Sequence, residues 1–238
     1  MMIDLADVRY APGETRVLDG VTLCTNARRL GVLGRNGSGK TSLARVMSGL
    51  VAPDAGTVRI DGVDVAQDRK AALQVVGILF QSPDHQIIFP TVEEELAFGL
   101  TQMGQTKAQA ATAVARMLAR FDRAHWAKAA IHQLSQGQRQ LVCLMAILAM
   151  APKVIILDEP FSGLDIPTTR SLQRVLDQLD VTLVQITHDP AGLAGYDQVI
   201  WLEAGQIVAS GTPAEVIPAF RQKMEDVGRH DDFTDLAS

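Results

Sequence analysis

Residues 30–47 leave this chain little choice of architecture. Leu30-Gly31-Val32-Leu33 is continuously apolar, Gly34-Arg35-Asn36-Gly37-Ser38-Gly39-Lys40-Thr41 follows it, and a helical pattern then runs to about Met47. A short run without polar alternation reads as a strand covered on both faces, the habit of parallel sheets flanked by helices. The octet fits G-x-x-x-x-G-K-[ST], the phosphate-binding loop. Its glycines at 37 and 39 let the backbone curl so that successive N–H groups converge on one anion. The helix opening near Lys40 adds the positive end of its dipole at the same point. Lys40 is expected to bridge the β- and γ-phosphates of a nucleotide, the Thr41 hydroxyl to ligate Mg²⁺, and Ser42 to add a phosphate hydrogen bond. Asn36, Gly37, Ser38 and Gly39 complete the cradle. A merely structural glycine turn is the alternative, and the strand before and helix after argue against it.

The rest of the chain alternates strand and helix, which makes the class α/β. Residues 3–10 alternate apolar and polar, residues 17–25 look like a second strand, and 57–65 read as a hairpin turning at Asp61-Gly62. Residues 75–80, 154–157 and 183–187 are buried strands, with a helix near 168–179. A last hairpin, 199–210, turns at Glu203-Ala204-Gly205. Residues 91–150 contain no strand and are predicted to form a helical subdomain. Thr91 and Glu94 are spaced as a capping box, and a long helix is expected from Ser135 to Met150. Residues 1–220 are expected to be one nucleotide-binding domain. The stretch 221–238, with three basic and five acidic residues, is expected to be a frayed polar tail.

Val154-Ile155-Ile156-Leu157 runs into Asp158-Glu159, placing two carboxylates at the end of a buried strand, where α/β proteins bind ligands. Asp158 is expected to hold Mg²⁺ through water, and Glu159 to orient or deprotonate an attacking water. No Asn-Lys-x-Asp is present to read guanine.

Charge and hydropathy narrow the setting. A net charge of −5 argues against nucleic acid as the main partner, because phosphate neutralisation needs clustered Lys and Arg. The longest apolar run, 141–151, is 11 residues, against about 20 for a spanning helix, so the chain is not expected to cross a bilayer despite a mean hydropathy of +0.11. The start shows no secretory pattern. The two cysteines, Cys24 and Cys143, lack metal-ligand spacing and are expected to be buried thiols in a reducing compartment.

Further residues make the pattern far more specific. Leu134-Ser135-Gln136-Gly137-Gln138 resembles the signature of the ATP-binding cassette (ABC) ATPases, and it precedes Asp158-Glu159 in the order that family uses. Gln81 resembles the family's Q-loop glutamine, Ser162-Gly163-Leu164-Asp165 its D-loop, and His188 its switch histidine. Tyr10 stands where the family stacks an aromatic on adenine. Gln136 departs from the family, which commonly has Gly there, and Arg35 stands where Pro is frequent. The resemblance implies a P-loop NTPase fold with a RecA-like parallel core, an antiparallel β subdomain and a helical subdomain. It also implies ATP and Mg²⁺ as ligands, with Glu159, His188 and Gln81 catalytic and Thr41, Gln81 and Asp158 around the metal. Ser135, Gln136, Gly137 and Gln138 would close on the γ-phosphate of a partner copy, in a head-to-tail dimer with itself.

Residues 81–99, Gln81-Ser82-Pro83-Asp84-His85-Gln86 through Thr91-Val92-Glu93-Glu94-Glu95 to Gly99, are similar to the same stretch of energy-coupling-factor (ECF) importer ATPases. That resemblance implies a transmembrane coupling subunit and a substrate-binding membrane subunit as partners, and a peripheral position on the cytoplasmic face of the cell membrane. Glu93, Glu94 and Glu95 would suit a basic partner. Ile87-Ile88-Phe89, an apolar triplet before a proline, is a candidate for a partner groove. With 50 residues after His188, no added C-terminal domain is expected, and the chain resembles the ATPases of biotin importers. A short cobalt- or nickel-type member is the alternative, and a soluble cassette of DNA repair or translation a remoter one.

Overall fold

A computed structural model describes residues 1–230. Its first half runs β1 (Ile3–Tyr10), β2 (Leu18–Thr25), β3 (Arg29–Leu33), α1 (Lys40–Met47), β4 (Ala55–Ile60), β5 (Val63–Asp64), α2 (Arg69–Val75) and β6 (Val76–Leu79). After this come α3 (Val92–Gln102), α4 (Lys107–Arg120), α5 (Gln136–Ala149), β7 (Val154–Asp158) and α6 (Ile166–Asp177). The chain continues through β8 (Thr182–Thr187), β9 (Gln198–Glu203), β10 (Gln206–Gly211) and α7 (Pro213–His230).

The apolar run before the phosphate loop becomes β3, and it lies inside a six-stranded sheet of order β10-β9-β3-β8-β7-β6. β3 pairs in parallel with both β8 and β9, and β6, β7 and β8 continue the parallel set. Only β10 is antiparallel, through the hairpin turning at Ala204 and Gly205, both with positive φ. β7 and β8 have no exposed residue; β7 carries the unbroken apolar run Val154–Leu157, while β8 buries Thr182, Gln185 and Thr187 among its apolar residues. β2-β1-β4-β5 form a separate antiparallel sheet, and the Asp19 N–H donates to the Gly205 carbonyl at 2.9 Å, joining its rim to the main one.

α1 is wedged between the two sheets. Leu43, Ala44, Val46 and Met47 are each no more than 1% exposed and pack against Ile3, Leu5, Val32, Val58 and Ile186. On the opposite face of the large sheet, α5 and α6 cover Ile155, Leu157 and Leu183. α3, α4 and α5 enclose a third core around Leu96, Leu100, Val114, Leu118 and Val142. α5 serves both bodies: Val142 and Met145 face the helical core, while Cys143, Leu144 and Ile147 face the sheet. A helix apolar on all sides is one buried on all sides.

Several expectations change. The segment expected to fray from residue 221 is helical to His230; residues 231–238 lie outside the described residues. The reason lies upstream, where Val216, Ile217 and Phe220 bury against Leu193 and Val199 on β9, with Met224 packed beside them. Phe220 meets Trp201 edge-on at 5.5 Å. α2 was not anticipated; Asp68 caps it, accepting the Ala71 N–H, and it runs straight into β6. Cys143 is buried, its thiol pKa pushed up to about 12 by desolvation, but Cys24 is exposed on the outer face of β2. Thr91 and Glu94 bond to each other rather than to backbone, so no capping box forms there. Capping boxes occur instead at Thr106–Gln109 and Ser135–Gln138.

Removing the Phe220 ring should cost about 3–5 kcal/mol, as for other buried aromatics. F220A would then unfold at markedly lower urea than the parent; an unchanged midpoint would mean that α7 is not docked on β9.

Candidate active site

β3 delivers the loop to the end of the sheet, where close packing dictates Gly34 and Gly39 and a φ of +81 favours Gly37. A Cβ at Gly34 would lie 2.4 Å from the Leu202 carbonyl oxygen, so only glycine fits beside β9. Gly39 has φ +101 and caps α1 without a side-chain bond. The first N–H groups of α1 have no intrahelical partners and open toward the concave side of the loop. The Lys40 side chain is 7% exposed, and its ammonium donates to the Gly34 and Arg35 carbonyls at 2.8 Å each. Burial pulls its pKa below the usual lysine value, a shift that Glu159 and Asp158 partly offset. Ser38 Oγ is buried without a hydrogen-bond partner inside the loop.

β7 brings in the carboxylates. Asp158 is 3% exposed and accepts a 3.4 Å hydrogen bond from the Thr41 hydroxyl. Desolvation raises its pKa, opposed by the Thr41 bond and the Lys40 charge. Glu159 turns the chain with φ +48 while its N–H bonds the Ile186 carbonyl of β8 at 2.9 Å. Its carboxylate lies 2.8 Å from His188 Nδ1, accepts the Thr187 hydroxyl at 3.2 Å and sits 4.0 Å from Lys40 Nζ. Gln81, beyond β6, donates to the Ser162 hydroxyl at 3.1 Å.

Asn36, Gly37, Gly39, Lys40, Thr41, Ser42, Gln81, Glu159 and His188 thus line one cleft of about 560 Å³, together with Val17 and Ser162. Asp158 stands behind Thr41. Val17 is a wall residue that no motif announces; Thr187 touches Glu159 and could have been found only as the residue before His188. Tyr10 does not line the cleft. It packs half-buried against the core, and its carbonyl accepts the Val17 N–H at 2.9 Å.

The 135–138 segment meets this cleft only at its rim, where Gln136 Nε2 donates to the Ser162 carbonyl at 3.4 Å. Ser135 caps α5: its hydroxyl accepts the Gln138 N–H at 3.3 Å, and Gln138 Oε1 accepts the Ser135 N–H at 2.8 Å. Gly137 is the crossing point of α5 with α6, where a Cβ would meet Thr168 Cγ2 at 2.2 Å. Ser135, Gln136 and Gln138 are exposed.

The glutamate triplet divides. Glu95 is 7% exposed and turned inward, its Oε2 accepting the N–H groups of both Ile88 and Phe89 at 2.9 Å. It therefore shapes the loop and cannot face a basic partner. Glu93 pairs with Lys128 at 2.9 Å. The loop that Glu95 holds leaves Ile88 67% exposed beside the Phe89–Phe98 ring pair.

The profile of the family described as ABC transporter matches residues 18–162. Over 95% of its length, and 97% of the relative's, the chain is 49% identical to a biotin transport ATP-binding protein of Rhodobacter capsulatus. It is 36% identical to an energy-coupling factor transporter ATP-binding protein of Methanothermobacter thermautotrophicus, covering 90% of this chain and 72% of the other. Among solved structures, cbiO1 of Clostridium perfringens, described as part of the ABC transporter complex cbiONQ, superposes with a TM-score of 0.76. The two are 28% identical, with 94% of this chain and 93% of the other covered.

The raised pKa of Asp158 has a stability consequence with a definite sign. Above its folded pKa the buried carboxylate is charged at a cost to the folded state. As pH falls the folded state takes up the proton first, and the cost vanishes below the unfolded value of about 3.9. Nucleotide-free D158N should therefore melt above the parent at pH 7, with the gap closing on acidification. A variant that melts lower at pH 7 would contradict this assignment.

Proposed function

Because the chain belongs to the ABC transporter family as an ATP-hydrolysing subunit, we propose that it energises an ECF-type importer whose cargo is biotin, closing on ATP as a head-to-tail dimer. The meeting of Lys40, Asp158, Glu159 and His188 at one phosphate loop carries the chemistry. The near-full-length likeness to a biotin transport ATP-binding protein supports the cargo.

Each residue has a task its surroundings suit. The loop and α1 N–H groups receive the β- and γ-phosphates, and Ser38 Oγ, buried without a partner, fits an acceptor-rich ligand. Lys40 exchanges its two carbonyl partners for phosphate oxygens, which favours its charged form against burial. Glu159 orients the attacking water, held in place by Thr187 and by His188 at 2.8 Å. The donors near Thr41 are all oxygens, from the Thr41 hydroxyl, the Asp158 carboxylate and the Gln81 amide, and such a set fits Mg²⁺. Mg²⁺, when bound, supplies charge neutralisation on the phosphates. Tyr10 holds Val17 on the cleft wall through its backbone carbonyl, and its ring would have to turn out of the core to stack on adenine.

Ser135 and the N–H groups opening α5 make a second anion-binding end that does not reach the chain's own cleft. In a head-to-tail pair each of these ends meets the partner's nucleotide, so ATP acts as the adhesive and hydrolysis releases it. No helix among the described residues is long and apolar enough to cross a membrane, so a place at its cytoplasmic face depends on partner subunits. The exposed patch of Ile88, Phe89 and Phe98, with Glu93 and Glu94 nearby, is the surface we assign to the transmembrane coupling subunit. A separate membrane subunit binds the cargo. The cores shared through α5 support reading residues 1–220 as one nucleotide-binding domain.

E159Q keeps the shape of the site but removes the base, so it should bind ATP, turn over at least about 100-fold more slowly and elute as an ATP-dependent dimer. Parent-level turnover would refute the role of Glu159. K40A should lose at least about tenfold in ATP affinity by calorimetry, the loss of one charged phosphate contact. Cells carrying K40A in place of the parent should also lose uptake of labelled biotin; unchanged uptake would overturn the cargo assignment.

A further inference from the structure

Gln136 is the first residue of α5, and its side chain is directed at the turn that follows Glu159. That turn is tight. The Ser162 N–H donates to the Glu159 carbonyl at 3.1 Å, and the Leu164 N–H to the Phe161 carbonyl at 3.2 Å. Ser162 is then held from two other elements. Gln81 Nε2 donates to its hydroxyl at 3.1 Å, and Gln136 Nε2, from the first residue of α5, donates to its carbonyl at 3.4 Å. The Gln136 amide also lies over Gly163, where φ is +74 and a Cβ would come 3.0 Å from Nε2. The contact thus needs a long amide at 136, and a side chain at 163 would crowd it.

We propose that Gln136 is a positioning residue for ATP hydrolysis: through Ser162 it ties the start of α5 to the backbone of Glu159. Closure of residues 135–138 on one nucleotide thereby sets the geometry of the base that acts on the other. The inference rests on the head-to-tail reading above. Its physical basis is the state of the bond in the single chain, where it is long and Gln136 is exposed, so water competes for the amide. Closure of the dimer excludes that water, and a hydrogen bond strengthens when the local dielectric falls. The link is loose in the open state and tight in the closed one.

The test uses Q136A and Q136E in the otherwise unchanged chain. Both should melt with the parent and bind ATP to the single chain within about twofold of it, since Gln136 meets its own cleft only through the Ser162 carbonyl. For Q136A, kcat should fall about threefold or more. It should fall further for Q136E, because a carboxylate would face the Ser162 carbonyl. The Hill coefficient for ATP should move from above 1 toward 1 in both. Q81A combined with Q136A should lose less than the product of the single losses, since both act through Ser162. Turnover of both variants within about twofold of the parent, a loss that tracks a lowered melting temperature, or a strictly multiplicative double variant would each overturn the proposal. The ATP-dependent dimer of E159Q separates the two readings. Its presence with unimpaired Q136A and Q136E refutes the positioning role alone, and its absence refutes the dimer and the role together.

Discussion

The burial of α1 between two sheets is the constraint on which the rest of the site depends. Leu43, Ala44, Val46 and Met47 are inaccessible to water, and each large apolar side chain so buried contributes about 1.5–3 kcal/mol. A helix held that firmly cannot retract, so its amino end and the loop leading into it are presented at the sheet edge in one fixed orientation. The loop is pinned from the other side by close approach to Leu202 and Val17. An anion meets N–H groups that are already aligned, and little ordering remains to be done on binding.

That rigidity allows the buried charges to coexist. Lys40, Asp158 and Glu159 share one corner of the structure, where desolvation lowers the pKa of the lysine and raises that of Asp158. The charges of Lys40 and Asp158 are partly compensated by their neighbours and neither fully, so the corner carries an electrostatic cost. The same logic applies at Glu159, whose positive φ is held by the Ile186 carbonyl and whose carboxylate is shared among His188, Thr187 and Lys40. The geometry around Glu159 is thus fixed by the fold from both its backbone and its side chain.

The exposed apolar surface around Ile88 follows a different principle. Glu95 gives up its exposure to cap two backbone N–H groups, and Ile88 is thereby held out in water. A buried carboxylate is spent on presenting an apolar side chain, an arrangement that makes sense when something is to cover it. Gln136 is the polar counterpart, an exposed side chain aimed at the turn beside the Glu159 carboxylate.

Local patterns determined much of this from the sequence alone. An unbroken apolar run specifies a doubly covered strand, and G-x-x-x-x-G-K-T specifies a curled loop, because both depend on the residues themselves and their immediate neighbours. The strands, the helical block and the residues of the cleft were therefore legible. Long-range choices were not. Whether Glu95 faces outward or inward depends on where the 87–89 loop passes, Cys24 on which face of β2 meets the core, and α7 on the apolar shelf of β9 that holds Phe220. Tyr10 outside the cleft wall is likewise a decision of packing. Each was settled by contacts between residues distant in sequence, and no local pattern carries that information.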